Sequence, residues 1–491
     1  MNKFSKDTAA LALLLWAATG MAITARTPEV ISPAQTFTSL YSFCSQAGCT
    51  DGTHPGAGLV QGAGGNLYGT TEVAGRGDFN SGTVFRFTPA GAFATLLSFD
   101  GIDGCESAAA LIQATDANLY GSTQACATSS AGTIFAVTTQ NGVLTTLHRF
   151  SVTDGKSPEG ALIQGNNGNF YGVTEYGGAN LNDGTVFKIT PSGMLTTLYN
   201  FCSQSDCTDG GYPSAGLFQG VAGDFYGTTR AGGSSGLGTV FKMTSDGALT
   251  TLHSFDGADG AEPEAGLIMA NDGNFYGTTF DGGSNEYCSG NEICGTLFKI
   301  TPAGALTTLY TFCSQSGCAD GRSPIAGLAQ GTDGNLYGTT VGGGVNNHGT
   351  IFKITLGGTL TTLHTFCSQG KCTDGDKPYA GLVQDTNGTF YGTTFQGGVK
   401  GQGTVFSLSV GLGPFVETNP PAGKVGAPVG ILGTNLIGAT SVTFNGTAAE
   451  FTVKSATLII ATVPSGATSG TVQVQLPSGT LSSNVPFIVL P

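Results

Sequence analysis

Basic residues, histidine and tryptophan are scarce in this chain, and each shortage removes a class of function. Eighteen Lys and Arg stand against 32 Asp and Glu among 491 residues, a net charge of −14. A nucleic-acid backbone or an anionic membrane surface would be repelled rather than recruited. With five His and no paired Cys-x-x-Cys knuckles, a zinc site lacks its usual ligand pattern. No Walker loop, His-Glu-x-x-His helix or nucleophile elbow occurs, and the Gly-rich loops lack the strand-to-helix context of a phosphate site. No cofactor is expected. The single Trp, Trp16, lies in the apolar run Ala9 to Ala18 behind Lys3 and Lys6. That run is too short for a stable span and reads as residues 1–25 of a secretory signal, cleaved near 22 or 25, which leaves a mature chain without Trp or a membrane span.

Glycine, by contrast, is abundant: 80 residues, set in Asp-Gly, Gly-Gly and Asn-Gly pairs between Val, Ile, Phe, Tyr and Thr runs. Such pairs supply the positive φ of tight hairpins, so the pattern is all-β. Leu/Phe-Tyr-Gly-x-Thr recurs seven times, with its Tyr at Tyr68, Tyr120, Tyr171, Tyr226, Tyr276, Tyr337 and Tyr391. A period of roughly 50 to 60 residues is the length of a four-stranded propeller blade. The third repeat displays the four extended runs, Ala161 to Gln164, Asn169 to Thr174, Gly184 to Thr190 and Leu195 to Phe201. The fourth-run motif already occurs at Thr36 to Phe43, before any complete repeat, whereas the last repeat stops near Val410 without a fourth strand. Pairing these two ends removes both free sheet edges. The expectation is a seven-bladed β-propeller over 36–410, closed by its N-terminal strand, with an immunoglobulin-like β-sandwich over 411–491.

The Ala-Gly-Leu of the first strand (Ala57-Gly58-Leu59, Ala215-Gly216-Leu217, Ala326-Gly327-Leu328), the Tyr-Gly-Thr-Thr core and the Gly-Thr-Val-Phe-Lys run resemble the GloVer tandem-repeat family over about Phe37 to Val410. That resemblance implies an exported bacterial repeat protein and carries over no catalytic residue. After Gly411, Asn419-Pro420-Pro421-Ala422-Gly423, Gly433-Thr434-Asn435-Leu436 and Val442-Thr443-Phe444-Asn445-Gly446-Thr447 resemble an IPT/TIG domain, which implies an interaction or spacer role. Alternation in Val472-Gln473-Val474-Gln475-Leu476 independently supports a small two-sheet module.

Twelve cysteines in an exported chain favour disulfides. Four pairs share the frame Cys-Ser-Gln-x-x-Cys: Cys44 with Cys49, Cys202 with Cys207, Cys313 with Cys318, and Cys367 with Cys372. Cys288 and Cys294 form a fifth local pair, leaving Cys105 and Cys126 to meet across half a blade.

Loops after the second and fourth strands emerge on one face of a propeller, and here they are the long, variable ones, while the other face carries short Gly turns. Glu72, Asp78, Glu175, Tyr176, Arg230, Asp281 and Tyr287 are the candidate binding residues in them. The recurrent Asp-Gly (Asp51, Asp103, Asp154, Asp209, Asp259, Asp320, Asp374) reads as a turn in which Asp accepts backbone hydrogen bonds, rather than as a carboxylate ring. His148, His253 and His364 stand where Tyr41, Tyr199 and Tyr310 stand in other fourth strands, the mark of a half-buried packing position. Arg76-Gly77-Asp78 is an integrin-type tripeptide of the kind that arises easily by chance.

These features point to a secreted or cell-surface binding protein whose variable loops recognise an extracellular protein or glycan. The rival is a carbohydrate-active propeller enzyme, hydrolase or lyase, using acids such as Glu72, Glu175, Asp281 or Glu292. Convergence of several acids in one deep pocket on the variable face discriminates between the two.

Overall fold

In each repeat, the alternation of apolar and Thr residues buries both faces of the middle strands, and Gly-containing turns separate them. The computed structural model describes residues 35–75, 81–126, 130–180, 182–220, 222–284 and 293–490. Residues 1–34, which include the expected signal, and Asp78, Tyr287, Cys288 and Glu292 therefore lie outside the described residues. Among the described residues there is no α-helix, and none long and apolar enough to cross a membrane.

Seven four-stranded antiparallel sheets follow one another, consistent with propeller-like blades. The third comprises Ile163–Gln164, Phe170–Thr174, Thr185–Ile189 and Leu195–Asn200. Its first strand is shorter than the sequence pattern suggests. The residues before Ile163 leave the ladder because innermost segments of neighbouring sheets touch through their backbones. A Cβ on Gly381 would stand 2.6 Å from the Gly327 carbonyl oxygen, which accounts for Gly or Ala in Ala-Gly-Leu.

Thr36–Ser42 pairs antiparallel with Thr404–Ser409 and completes the last sheet, as the offset of the repeats predicts. That sheet packs on the first through Phe43, Tyr391 and Val405 against Leu59, Leu67 and Phe85. Equivalent clusters join the other sheets. In four of these junctions the signature Tyr packs on a Phe of the next sheet, as Tyr120 does on Phe170 at 4.1 Å and Tyr337 on Phe390 at 4.2 Å. The hydroxyls of Tyr120 and Tyr337 donate to the turn carboxylates of Asp116 at 2.8 Å and Asp333 at 2.9 Å, and that of Tyr171 accepts from Asn167 Nδ2 at 2.8 Å, so the buried ring keeps its polar tip paired.

The C-terminal module folds as two sheets around Val429, Ile431, Phe444, Ile459, Val472, Val474 and Phe487. It does not stand apart. Phe415 N donates to Thr386 O at 3.0 Å, Thr457 Oγ1 to Ala63 O at 2.9 Å, Asn419 Nδ2 to Gln113 O at 3.1 Å and Asn484 Nδ2 to Gln330 O at 3.3 Å. All four acceptors lie at or beside the turns between first and second strands. The face expected to carry only short Gly turns is thus the seat of the C-terminal module, because those turns leave acceptor carbonyls that a second domain satisfies.

Candidate functional site

On the opposite face each sheet begins its innermost segment with a residue in the left-handed region: His54, Glu106, Ser157, Tyr212, Glu262, Ser323 and Lys377, with φ between 52° and 57°. Seven equivalent non-glycine residues held there represent stored backbone strain of about 1 kcal/mol or more each. Two backbone bonds hold the turn. Glu106 N donates to Ser81 O of the preceding sheet at 3.3 Å, and Glu106 O accepts from Gln124 N at 3.1 Å.

Two residues further along, one residue from every sheet lines a common pocket of about 250 Å³: Gly56, Ala108, Glu159, Ser214, Glu264, Ile325 and Tyr379. Glu72, Gln124 and Arg230, each just after a second strand, complete the wall. Gly56 leaves room for the Glu72 carboxylate, since a Cβ there would lie 2.1 Å from Glu72 Oε1 and displace it.

The charges are unevenly distributed. Burial, reinforced by the Glu106 charge, pushes the Glu72 carboxyl up to about 7. Burial first, then the charge of Glu175 and a hydrogen bond to it, pushes Glu159 far above the usual carboxyl range. Burial also raises Glu264. Arg230 Nη1 donates to the buried Glu175 Oε1 at 3.4 Å and its Nε approaches Glu262 Oε2 at 3.9 Å, so one guanidinium serves two carboxylates. Elsewhere the rim is aromatic: Phe395 packs on Tyr379 and on His54, each at 4.8 Å between centroids.

Of the residues named from sequence, Glu72, Glu175 and Arg230 converge here, and Tyr176 flanks them with its ring edge-on to Tyr212 at 5.6 Å. Asp281 does not join them; its carboxylate accepts from Gly282 N at 2.7 Å within its own loop. Glu72 and Glu175 are not each other's partners, since Glu106 and Glu159 take those places. Glu106, Glu159, Glu264, Tyr379 and Phe395 escaped sequence reasoning. Their signal was the variable x of Pro-x-Ala/Gly for Glu159, Glu264 and Tyr379, the variable residue before that Pro (Ser107 in this repeat) for Glu106, and the variable residue after Thr-Thr for Phe395, where otherwise matching repeats disagree.

The Asp-Gly carboxylates serve turns. Asp209 accepts from Tyr199 OH at 2.7 Å, Ser203 N at 2.9 Å and Ser203 Oγ at 2.8 Å, and Asp51 and Asp320 do the same with Tyr41 and Tyr310. His148 and His253 reach Asp154 and Asp259 at 3.0 and 2.6 Å, which explains why His replaces Tyr: both reach the same carboxylate. Disulfides join Cys44 to Cys49, Cys105 to Cys126, Cys202 to Cys207, Cys313 to Cys318 and Cys367 to Cys372, and Cys294 is also disulfide-bonded. The groups with metal-like spacing among the described residues, His348 with Cys367 and Cys372, and Asp183 with Cys202 and Cys207, consist mostly of these bonded sulfurs, which are not thiolate ligands.

The model of the Gloeobacter/Verrucomicrobia repeat matches residues 29–221, 163–319 and 288–438, and that of the IPT/TIG domain matches 415–489. No curated protein matches. Among solved structures, a fungal alcohol oxidase of the AA5 family in complex with copper is 13% identical, with a TM-score of 0.51, covering 93% of this chain and 99% of its own. PorZ, a surface component of the type-IX secretion system of Porphyromonas gingivalis, is 15% identical, with a TM-score of 0.44, covering 87% of this chain and 58% of its own. At these identities the likeness to the oxidase is one of fold alone.

Proposed function

Because this chain belongs to the Gloeobacter/Verrucomicrobia repeat family, we propose that it is an exported, non-enzymatic recognition protein whose site is the pocket on the variable face. In this reading residues 1–25 are a cleaved signal, the seven sheets of residues 36–410 are blades of a closed seven-bladed propeller sealed by its N-terminal strand, and residues 411–491 are an immunoglobulin-like module. Multiple disulfides fit an exported protein. The observation that carries the proposal is that side chains from all seven sheets meet in one pocket and differ there, although their neighbours are nearly invariant between repeats. Carboxyl and amide groups of Glu72, Glu264 and Gln124 suit a ligand rich in hydroxyls, and Tyr379 with Phe395 offers an apolar ring surface. An extracellular glycan has both properties.

A second reading, a glycoside-cleaving enzyme, draws on the convergence of Glu72, Glu159 and Glu264 in one pocket on the variable face, the observation expected to favour it, and on one further feature. Glu72 and Glu159 hold protons toward neutral pH while Glu175 is paired with Arg230, and unlike carboxyl environments within one site are the pattern of acid and base partners. Glu159 would then donate a proton to the leaving oxygen. A polysaccharide screen with the full chain, scored for both binding and released product, separates the readings. Binding lost in Glu264→Gln and Tyr379→Ala without product supports recognition, released product overturns it in favour of the enzyme, and neither binding nor product overturns both.

A further inference from the structure

A second cavity lies on the other face, between the repeats and the C-terminal module, and its chemistry differs from that of the acidic pocket. It has a volume of about 320 Å³ and is walled by Leu217, Phe218 and Met269 from the repeats and by Pro421, Val485 and Ile488 from the C-terminal module. No lining residue carries a charge. The hydrogen bonds that seat the C-terminal module go to sheets one, two, six and seven, through Ala63, Gln113, Gln330 and Thr386, whereas the cavity opens over sheets three to five.

The repeats themselves mark the place. The last residue of the first strand is Gln in six sheets, and its Oε1 accepts a backbone N–H of the preceding sheet: Ala63 N to Gln113 at 2.7 Å, Thr115 N to Gln164 at 2.9 Å, Asn166 N to Gln219 at 3.1 Å, Asn271 N to Gln330 at 3.0 Å, Thr332 N to Gln384 at 3.1 Å and Thr386 N to Gln61 at 3.0 Å. In the fifth sheet that residue is Met269, and Met269 lines the cavity. Gln164 and Gln219 line the cavity too and keep their staples, so in the fifth sheet alone a polar staple is replaced by an adaptable apolar side chain, and that side chain faces this space.

From these observations we infer that the cavity is a binding site for an uncharged, largely hydrocarbon small molecule. Its volume is at the lower end of ligand pockets, which favour domain junctions, and is too small for a folded partner. Water finds few hydrogen-bond partners against such a wall, so an apolar guest displaces it favourably. An ionic guest would lose hydration with no opposite charge to meet it. The amides of Asn166 and Asn271 stand at the cavity to receive one polar group.

The test titrates the full chain with the uncharged dye N-phenyl-1-naphthylamine and displaces it with 1-decanol, decanoate or decyltrimethylammonium, each below its micelle-forming concentration. Expected are one saturable site and displacement by decanol at least tenfold more effective than by either ion. Met269→Gln, which installs the residue of the other sheets, and Ala422→Phe, which fills the space from the other domain, should each weaken dye binding at least tenfold with melting temperature retained. Non-saturable binding, equal displacement by all three compounds, or a site that survives both variants overturns the inference.

Discussion

Replacing Glu72 by Gln should stabilise the protein strongly at pH 8 and only weakly at pH 5. In the unfolded chain Glu72 ionises near 4.5, whereas burial and the Glu106 charge delay ionisation in the folded chain to about 7. The folded state therefore binds more proton than the unfolded state across that window, so stability falls as pH rises from about 4.5 to about 7 and is flat beyond. Each pH unit of difference is worth about 1.4 kcal/mol, so at pH 8 the native carboxylate costs about 3 kcal/mol. Gln keeps the shape and removes the ionisation. For a chain of this length the unfolding entropy is on the order of 1 kcal/mol per degree, so the gain should appear as a rise in Tm of about 3 °C. The assay is calorimetric or circular-dichroism melting of wild type and Glu72→Gln at pH 5, 6.5 and 8. Glu159→Gln should show the same direction, because its carboxyl is raised by burial and by Glu175. An equal Tm at pH 8, or a benefit larger at pH 5 than at pH 8, would refute the account of these acids as groups retained against stability for binding.

Deleting Thr36–Ser42 should abolish cooperative melting and cause aggregation, since it bares the full edge of Thr404–Ser409; an unchanged melting curve would sink the closure. Gly69→Ala should lower stability by about 2 kcal/mol in denaturant titration, because the new Cβ meets Phe85 Cζ at 2.6 Å and Leu59 Cδ2 at 2.8 Å, and an unaltered midpoint would show that the strand yields freely. Tyr199→Phe should cost about 1 kcal/mol by removing the donor to Asp209, with a smaller effect if water replaces the hydroxyl. Replacing Cys105 and Cys126 by Ser should cost about 3 kcal/mol, more than removing any one of the five-residue bridges, because the loop of 21 residues is longer; equal losses would contradict the chain-entropy account.

Strand order, the N-terminal strand's place in the last sheet, the turn role of Asp209 and its equivalents, and the local disulfides were all legible in the sequence. Most depend on neighbours within one repeat, the N-terminal strand's place follows from the offset of the repeats at the two ends, and seven repeats average away the ambiguity of any single copy. Hydrogen bonds such as Tyr199 to Asp209 span only ten residues. What the tertiary structure decided is which variable positions meet. Glu159 and Glu175 are 16 residues apart but Arg230 reaches Glu175 from 55 residues away, and no local pattern specifies that convergence. The seat of the C-terminal module is likewise set by carbonyls at repeat turns that its own sequence does not mention, as in Thr457 to Ala63 across 394 residues. Periodicity reports what every sheet shares, whereas a pocket is built from what each sheet contributes alone, and only closing the sheets on one another brings those contributions together.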